Sequence, residues 1–235
     1  MTKQEFYRQK YQEKNPGWRD SLTLYRDLIG KFVNQQTKIL DVGCGHGDFL
    51  KPVYDRAPST YGLDPDKAAL DKNTFIKNKF VGSVEKMPFE NDFFDLVVCA
   101  WVFEHLPEPL TAVKEIFRVL KPGGKLIFLT PNVWNYNVWI IRLVPERFHD
   151  FFTKKLYHRQ EHDTYPKKYK INSVKKILTT LSFIGFKKTE IILNGDPSYI
   201  SFNPLLFKFA CFLEKILNLK CFHNAKVHII GIFEK

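Results

Sequence analysis

The sequence predicts an α/β protein built on a doubly wound sheet. Short apolar runs alternate along the chain with segments of helical periodicity, and a glycine-rich turn follows the first run. Strands that alternate with helices in this way form largely parallel sheets with helices on both faces. Five predicted strands lie in the first part of the chain and two near its end: 37–42, 59–64, 77–82, 94–99, 124–130, 187–193 and 227–233.

The turn after the first strand has the composition of a cofactor loop. Residues 39–42 are the kind of apolar run that a parallel strand buries, and Gly43, Gly45 and Gly47 follow. Such glycines let a ligand approach the backbone closely. A dinucleotide fingerprint would require a further glycine at the position of Asp48, so the spacing disfavours NAD.

The second strand ends in an acid. Asp64 lies 23 positions after Asp41, at the predicted carboxyl edge of the sheet. A carboxylate at this point can accept hydrogen bonds from both hydroxyls of a ribose.

Three helices in or beside this core are predicted from periodicity and end signals. The first spans about 18–34 and places Trp18, Leu22, Tyr25, Ile29 and Phe32 on one face. The second precedes the fifth strand and ends before Pro122-Gly123-Gly124. The third begins at Asn172 or Ser173, runs through Leu181 and stops at Gly185.

Four further segments follow in a recognisable order: Gly82-Ser-Val-Glu-Lys-Met-Pro-Phe89, Phe94-Asp-Leu-Val-Val-Cys99, Phe103-Glu-His-Leu106 and Leu120-Lys-Pro-Gly-Gly-Lys-Leu-Ile-Phe-Leu-Thr-Pro-Asn132. Over 37–132 the chain resembles class I S-adenosylmethionine (SAM) dependent methyltransferases of the type 11 group. The resemblance implies a Rossmann-like, seven-stranded sheet that is mostly parallel, with an antiparallel last strand. It also implies SAM as cofactor and S-adenosylhomocysteine (SAH) as product.

The resemblance carries roles to individual residues. It places the three glycines and Cys44 in the methionine-side loop, Asp41 at the ammonium group and Asp64 at the ribose, with Pro65 beside it. Ser83 and Val84 border adenine, and Ala100 and Trp101 lie near the methionine portion. Relatives commonly have an acid where this chain has Ser83, and a hydroxyl is a weaker acceptor than a carboxylate. Glu85 is the candidate to compensate.

The segment with Glu104 and His105 resembles one in ubiquinone-biosynthesis O-methyltransferases and some RNA-end methyltransferases, where further acids or histidines hold a divalent ion. Trp101 stands at the position of the upstream acid, so these two ligands are too few and no metal is expected. His105 and Glu104 are therefore the candidate catalytic residues. For His105, general base and simple packing of the strand-to-helix turn both stay open.

Composition fits one domain over 1–235, with the first helix and cofactor core over 18–132. A lid insertion would cover 133–172, and 173–235 would close the sheet around a helical insertion at 195–226. No run of about 18 apolar residues occurs, no secretory signal is seen at the N-terminus, and the cysteines lack C-x-x-C spacing. We expect a cytoplasmic enzyme, with peripheral contact to a membrane surface as an alternative.

The net charge of +11 is unevenly distributed. Residues 37–141 have a net charge of −1, whereas 142–180 has +6. Solvated helix faces, an anionic acceptor, a membrane surface or nucleic acid all fit this excess. The insertion at 133–172 is also aromatic, and a helix is predicted from Asn203 and Pro204 to Leu217 that packs on the core, a partner or a bilayer.

Two classes of acceptor remain. An aromatic and basic lid favours methyl transfer to an oxygen or nitrogen of a small-molecule, lipid-like or glycan-precursor acceptor. The alternative is an RNA or protein methyltransferase that uses the basic segments, although no Asn-Pro-Pro-Tyr type motif follows the fourth strand. The oligomeric state is left open.

Overall fold

The computed structural model describes residues 1–136 and 166–235. Its strands are β1 (Ile39–Val42), β2 (Thr60–Asp64), β3 (Asn78–Val81), β4 (Phe94–Ala100), β5 (Leu120–Pro131), β6 (Lys187–Asn194) and β7 (His228–Glu234). They form one seven-stranded sheet in the order β3-β2-β1-β4-β5-β7-β6. Only β7 runs against its neighbours β5 and β6. The predicted fold class is confirmed.

The helices of the described residues are α1 (Lys3–Lys14), α2 (Ser21–Gly30), α3 (Lys51–Tyr54), α4 (Lys67–Lys72), α5 (Pro109–Val119), α6 (Val174–Ile184) and α7 (Pro204–Leu217). Two short 3-10 helices, Pro197–Ile200 and His223–Ala225, flank α7. None of these helices is long and apolar enough to cross a membrane.

The central strands of the sheet are buried on both faces. Alternate side chains of each central strand point in opposite directions, so Leu40 packs with α5 and α6 while Ile39 packs with α2 and α3. Phe128 and Ile127 of β5 divide between the two layers in the same way. This double burial explains why the central strands read as continuous apolar runs rather than alternating ones.

The strand order creates a switch point between β1 and β4. The chain moves outward from β1 to β2 and β3, then returns to β4 on the other side. Connections on the two sides therefore diverge and leave a crevice at the carboxyl ends of β1 and β4, where open α/β sheets bind ligands. The residues of the candidate site follow these strand ends.

Two elements differ in extent from the sequence-based prediction by three or four residues at an end, and one helix was missed. The first core helix covers Ser21–Gly30 rather than 18–34, because Asp20 caps it through the amides of Leu22 and Thr23. Strand β5 begins at Leu120 rather than 124, since Leu120 already pairs with Phe94. Helix α1 escaped prediction because its sequence is too polar to show an apolar stripe.

The end signals of the later helices were predicted correctly. Ser173 caps α6 by accepting from the Lys176 amide, and Gly185 ends it with φ of 116°. Asn203 caps α7, with Pro204 in the first helical position. Most of the predicted lid, 133–172, lies outside the described residues, which include only 133–136 and 166–172 of it.

Candidate active site

The glycine turn after β1 adopts backbone conformations that favour glycine. Gly43 has φ of 71° and Gly45 has φ of 48°. A Cβ atom on Gly43 would lie 2.5 Å from Cγ2 of Val102, so the turn packs directly against the segment after β4. A Cβ atom on Gly45 or Gly47 would meet no atom within 4 Å. These two glycines therefore border open space at the crevice.

Asp64 ties the end of β2 to the glycine turn. Its carboxylate is buried and accepts hydrogen bonds from the Gly45 amide at 2.9 Å and the Asp66 amide at 2.8 Å. The turn is held from its other side by Asn73, whose amide nitrogen donates to the Gly45 carbonyl at 3.0 Å. A carboxylate offers about four acceptor positions, so two backbone donors leave Asp64 able to accept further hydrogen bonds.

Asp41 is the buried acid of the site. It projects from β1 into the layer of α2 and α3, where the Tyr54 hydroxyl donates to its Oδ2. Burial raises the pKa of Asp41 to about 7; the Tyr54 hydrogen bond opposes this shift and the nearby Asp64 charge adds to it. A cation bound beside Asp41 would favour the carboxylate form and lower this pKa again.

The loop after β3 holds the residues predicted to border adenine. Val84 is buried, whereas Ser83 is exposed and its hydroxyl accepts from the Glu85 amide at 3.2 Å. The Glu85 carboxylate accepts from the Glu108 amide at 3.0 Å, just before α5 begins. Glu85 thus stabilises the junction of this loop with α5. Pro65 is exposed directly after β2.

The end of β4 is strained where it enters the crevice. Ala100 is half-buried, and Trp101 has φ of 59°, an uncommon conformation for a bulky residue that often occurs at functional sites. The Trp101 amide donates to the Leu129 carbonyl at 2.9 Å, which fixes this conformation. Its ring lies edge-on to the His228 ring, with centroids 4.9 Å apart.

The Glu104 and His105 pair lies beside the segment 166–172. Glu104 is buried, its carboxylate accepts from the Thr130 hydroxyl at 3.1 Å, and its carbonyl accepts from the Lys168 amide at 2.7 Å. His105 is half-buried with Nδ1 3.3 Å from the Pro166 carbonyl oxygen. Both residues therefore fasten the segment 166–172 to the core.

A buried polar network behind Trp101 was not predicted. Nδ1 of His228 lies 2.8 Å from the Ser21 hydroxyl, and its Nε2 lies 3.0 Å from the Tyr199 hydroxyl. Burial lowers the pKa of His228 to about 3, and the Arg8 charge adds to this. The imidazole is neutral at pH 7. These residues come from distant parts of the chain, and the only sequence signal was a histidine at the start of an apolar strand.

The described residues bring together no group of three or more His, Cys, Asp or Glu side chains that could hold a metal ion. Cys44 is half-buried beside the glycine turn and packs against Gly62. A Cβ atom at position 62 would lie 2.7 Å from the Sγ atom of Cys44. Burial raises the pKa of the Cys44 thiol well above its ordinary value, so it remains a neutral, space-filling group.

The residues present fit SAM. Its ammonium group suits Asp41, and its ribose diol suits the remaining acceptor positions of Asp64. The space beside Gly45 and Gly47 lets a ligand lie against the backbone. The turn thus combines open space for the cofactor with two carboxylates, one suited to its ammonium group and one to its ribose hydroxyls.

Comparison with known proteins finds similarity to methyltransferases. Residues 40–128 match the family model Methyltransf_11, described as a methyltransferase domain. The chain is 29% identical over 133 residues to the ubiquinone biosynthesis O-methyltransferase of Pseudomonas fluorescens, an alignment that covers 48% of this chain and 56% of that protein. The chain thus spans little more than half the length of this curated relative.

Solved structures share the fold across nearly the whole chain. A SAM-dependent methyltransferase from Mesorhizobium loti superimposes with a TM-score of 0.59 at 15% identity, covering 89% of this chain and 95% of that chain. A chain from the complex of the Haloferax volcanii Trm112 methyltransferase activator with a methyltransferase gives 0.61 at 16% identity, covering 96% and 94%. The chain therefore has the fold of solved SAM-dependent methyltransferases, and its residues 40–128 match a methyltransferase domain.

Proposed function

We propose that this chain transfers a methyl group from SAM to an oxygen or nitrogen nucleophile of a small-molecule, lipid-like or glycan-precursor acceptor. The observation that supports the proposal best is the buried Asp64 carboxylate, oriented by two backbone amides beside the open glycine turn. The name of the Pseudomonas relative, a ubiquinone biosynthesis O-methyltransferase, supports a small acceptor.

The chemistry requires alignment more than activation by the protein. Bound SAM supplies a methyl group already activated on a sulfonium, and transfer is an in-line displacement by the nucleophile. In this proposal Asp64 and Asp41 fix the ribose and ammonium ends of the cofactor. Trp101, held by the Leu129 carbonyl and the His228 ring, forms a rigid wall that orients the reacting groups and excludes water.

His105 is the proposed general base. Its Nδ1 faces the Pro166 carbonyl, an acceptor, so the geometry favours a proton on Nδ1 and makes Nε2 the basic nitrogen. Glu104 would position this residue by holding the turn through Thr130 and the Lys168 amide. We also propose that the acceptor reaches His105 past residues 166–172. The proposed location of the protein is the cytoplasm.

An RNA or protein acceptor is the second candidate. Lys167, Lys168 and Lys170 are exposed directly beside His105, and the segment 142–180 has a net charge of +6. A polyanionic acceptor would use such a surface, and RNA binding would then weaken steeply with salt. Gel-shift titration at two salt concentrations separates this candidate from the first.

Calorimetry with SAM, SAH and NAD tests the cofactor assignment. We expect one SAM or SAH site per chain, and Asp64→Ala to weaken both by about 1.5–3 kcal/mol because the ribose loses a charged acceptor. Asp71→Ala is the matched control, since Asp71 is an exposed acid that forms a surface salt bridge with Lys67. Unchanged affinity in Asp64→Ala, or preference for NAD, contradicts the assignment.

Metabolite profiling tests the acceptor class. A deletion strain complemented with the wild-type gene or with Asp64→Ala should differ in one methylated compound and its unmethylated precursor. A small or lipid-like compound supports the proposal. Loss of a methyl mark on RNA or protein, with small metabolites unchanged, supports the second candidate instead.

A further inference from the structure

Helix α7 has two apolar faces, and the described residues cover only one of them. Phe207, Ala210 and Leu217 are buried, with Phe207 stacked on Tyr7 of α1 at a centroid distance of 4.8 Å. The opposite side exposes large apolar side chains at positions i, i+4 and i+7, which share one helix face. These are Leu205 (76% exposed), Phe209 (52%) and Phe212 (59%).

The exposed apolar face continues past the end of the helix. The charged residues of α7 at its border are all positive. Leu219 and Phe222, which follow α7, are also exposed. The acidic residue of α7, Glu214, is buried on the inner face. Lys208 and Lys215 are exposed and lie on one flank of the apolar row. A helix that packs on its own core normally turns polar residues outward, and α7 does not.

We propose that this outer face of α7, formed by Leu205, Phe209, Phe212, Leu219 and Phe222 with Lys208 and Lys215 at its edge, docks on an anionic lipid bilayer. Apolar side chains of an interfacial helix insert at the boundary of headgroups and acyl chains, while flanking lysines attract lipid phosphates. The inference concerns this surface alone and does not depend on the proposed acceptor.

Charge and polarity disfavour the other occupants. A second copy of the chain would bring the lysines of two equivalent faces together without an acid on either face to pair with them. Nucleic acid would satisfy the lysines but would leave the phenylalanines without an apolar environment. A bilayer with anionic headgroups satisfies both groups of side chains at once.

The docked helix would lie close to the candidate site. Helix α7 follows the 3-10 helix Pro197–Ile200, whose Tyr199 hydroxyl lies 3.0 Å from Nε2 of His228. His228 in turn contacts Trp101 at the end of β4. Membrane contact through α7 would therefore bring the carboxyl edge of the sheet near the lipid surface.

Flotation of the full-length chain with vesicles tests the proposal. The wild type should float with vesicles of equal phosphatidylcholine and phosphatidylglycerol at low salt, and far less with phosphatidylcholine alone or at 500 mM salt. The variant F209S/F212S should lower partitioning roughly tenfold or more because two inserted rings are lost. The variant K208Q/K215Q should lower it roughly tenfold on anionic vesicles only.

Helix α6 supplies matched controls. Phe183 is 75% exposed there, and Lys175 and Lys176 are exposed on the same helix. The variants F183S and K175Q/K176Q should float like the wild type, and SAH binding should stay unchanged in all four. No flotation of the wild type, or equal loss in the α6 controls, overturns the proposal. The proposal is also overturned if F209S/F212S changes sedimentation velocity but not flotation, because the face would then be a contact between copies of the chain.

Discussion

The glycine turn shows how single residues determine the shape of the crevice. Gly43 and Gly45 both have positive φ, yet their surroundings differ. Gly43 faces the Val102 side chain, whereas Gly45 faces open space at the predicted cofactor position. The same residue type therefore serves packing at one position and ligand access at the other.

This difference predicts that equivalent substitutions at the two positions have different main effects, on stability at Gly43 and on ligand binding at Gly45. Gly43→Ala should destabilise the fold by about 2–4 kcal/mol, because it adds a steric overlap with Val102 to an unfavourable φ. Gly45→Ala should cost only about 1–2 kcal/mol from its φ, but should weaken SAH binding more than its stability loss suggests. Urea unfolding and calorimetry on both variants measure these effects.

A double variant isolates the steric part of the Gly43 effect. Val102→Ala removes the Cγ2 atom that a Cβ on Gly43 would meet. Gly43→Ala combined with Val102→Ala should therefore be less destabilised than the sum of the two single variants. Simple additivity would contradict a direct contact between these positions.

At the scale of elements, helix α7 places the buried acid Glu214 against Gly195, the residue that follows β6. Glu214 is buried, its Oε1 has no hydrogen-bond partner among the described residues, and it packs where a side chain on Gly195 would overlap it. Burial raises the pKa of Glu214 from its ordinary 4.5 to about 7, partly offset by the nearby Lys226 charge. The native state therefore disfavours the ionised form of this carboxyl group.

This pKa shift predicts the sign of a pH effect. Because the folded pKa is the higher one, the stabilising contribution is complete below about pH 4.5 and is lost as the pH rises through about 7. Glu214→Gln should stabilise the chain by about 1–3 kcal/mol at pH 8 and have little effect at pH 4.5. Melting temperatures at both pH values test this, with exposed Glu90→Gln as control. An equal shift at both values would contradict ionisation as the cause.

His228 acts in the opposite direction. Its folded pKa of about 3 lies below the ordinary 6.5, so its contribution is present above pH 6.5 and is lost as the pH falls toward 3. Asp41 behaves like Glu214: burial raises its pKa to about 7, so its contribution to stability is also lost as the pH rises. These three groups therefore contribute opposing trends to the pH profile of the wild type, and single variants can separate them.

At the scale of the whole molecule, metal dependence is decided by which side chains the fold brings together. Trp101 stands in place of the upstream acid, and Glu104 contacts Thr130. We predict that methyl transfer continues in EDTA and that SAH affinity is unchanged by added magnesium. Activity assays with the identified acceptor and calorimetry measure this. Activity that disappears with chelator and returns with magnesium would reject the prediction.

The sequence determined the central sheet, the glycine turn and the end signals of α6 and α7. Apolar runs, glycine spacing and caps such as Ser173 and Asn203 are local features, so they can be read without knowledge of the rest of the chain. The cofactor class followed from the same local segments. The length of the first core helix did not, since it depends on the cap formed by Asp20.

Only the tertiary structure revealed what connects distant segments. His228 behind Trp101 and the uncovered face of α7 arise from contacts, or missing contacts, between parts far apart in sequence. The hydrogen bond of Tyr54 to Asp41 joins β1 to the next helix, α3. The apolar composition of α7 fits a core helix and a membrane-facing helix equally well. Burial alone separates its two faces, because periodicity shows which side chains share a side but not what covers that side.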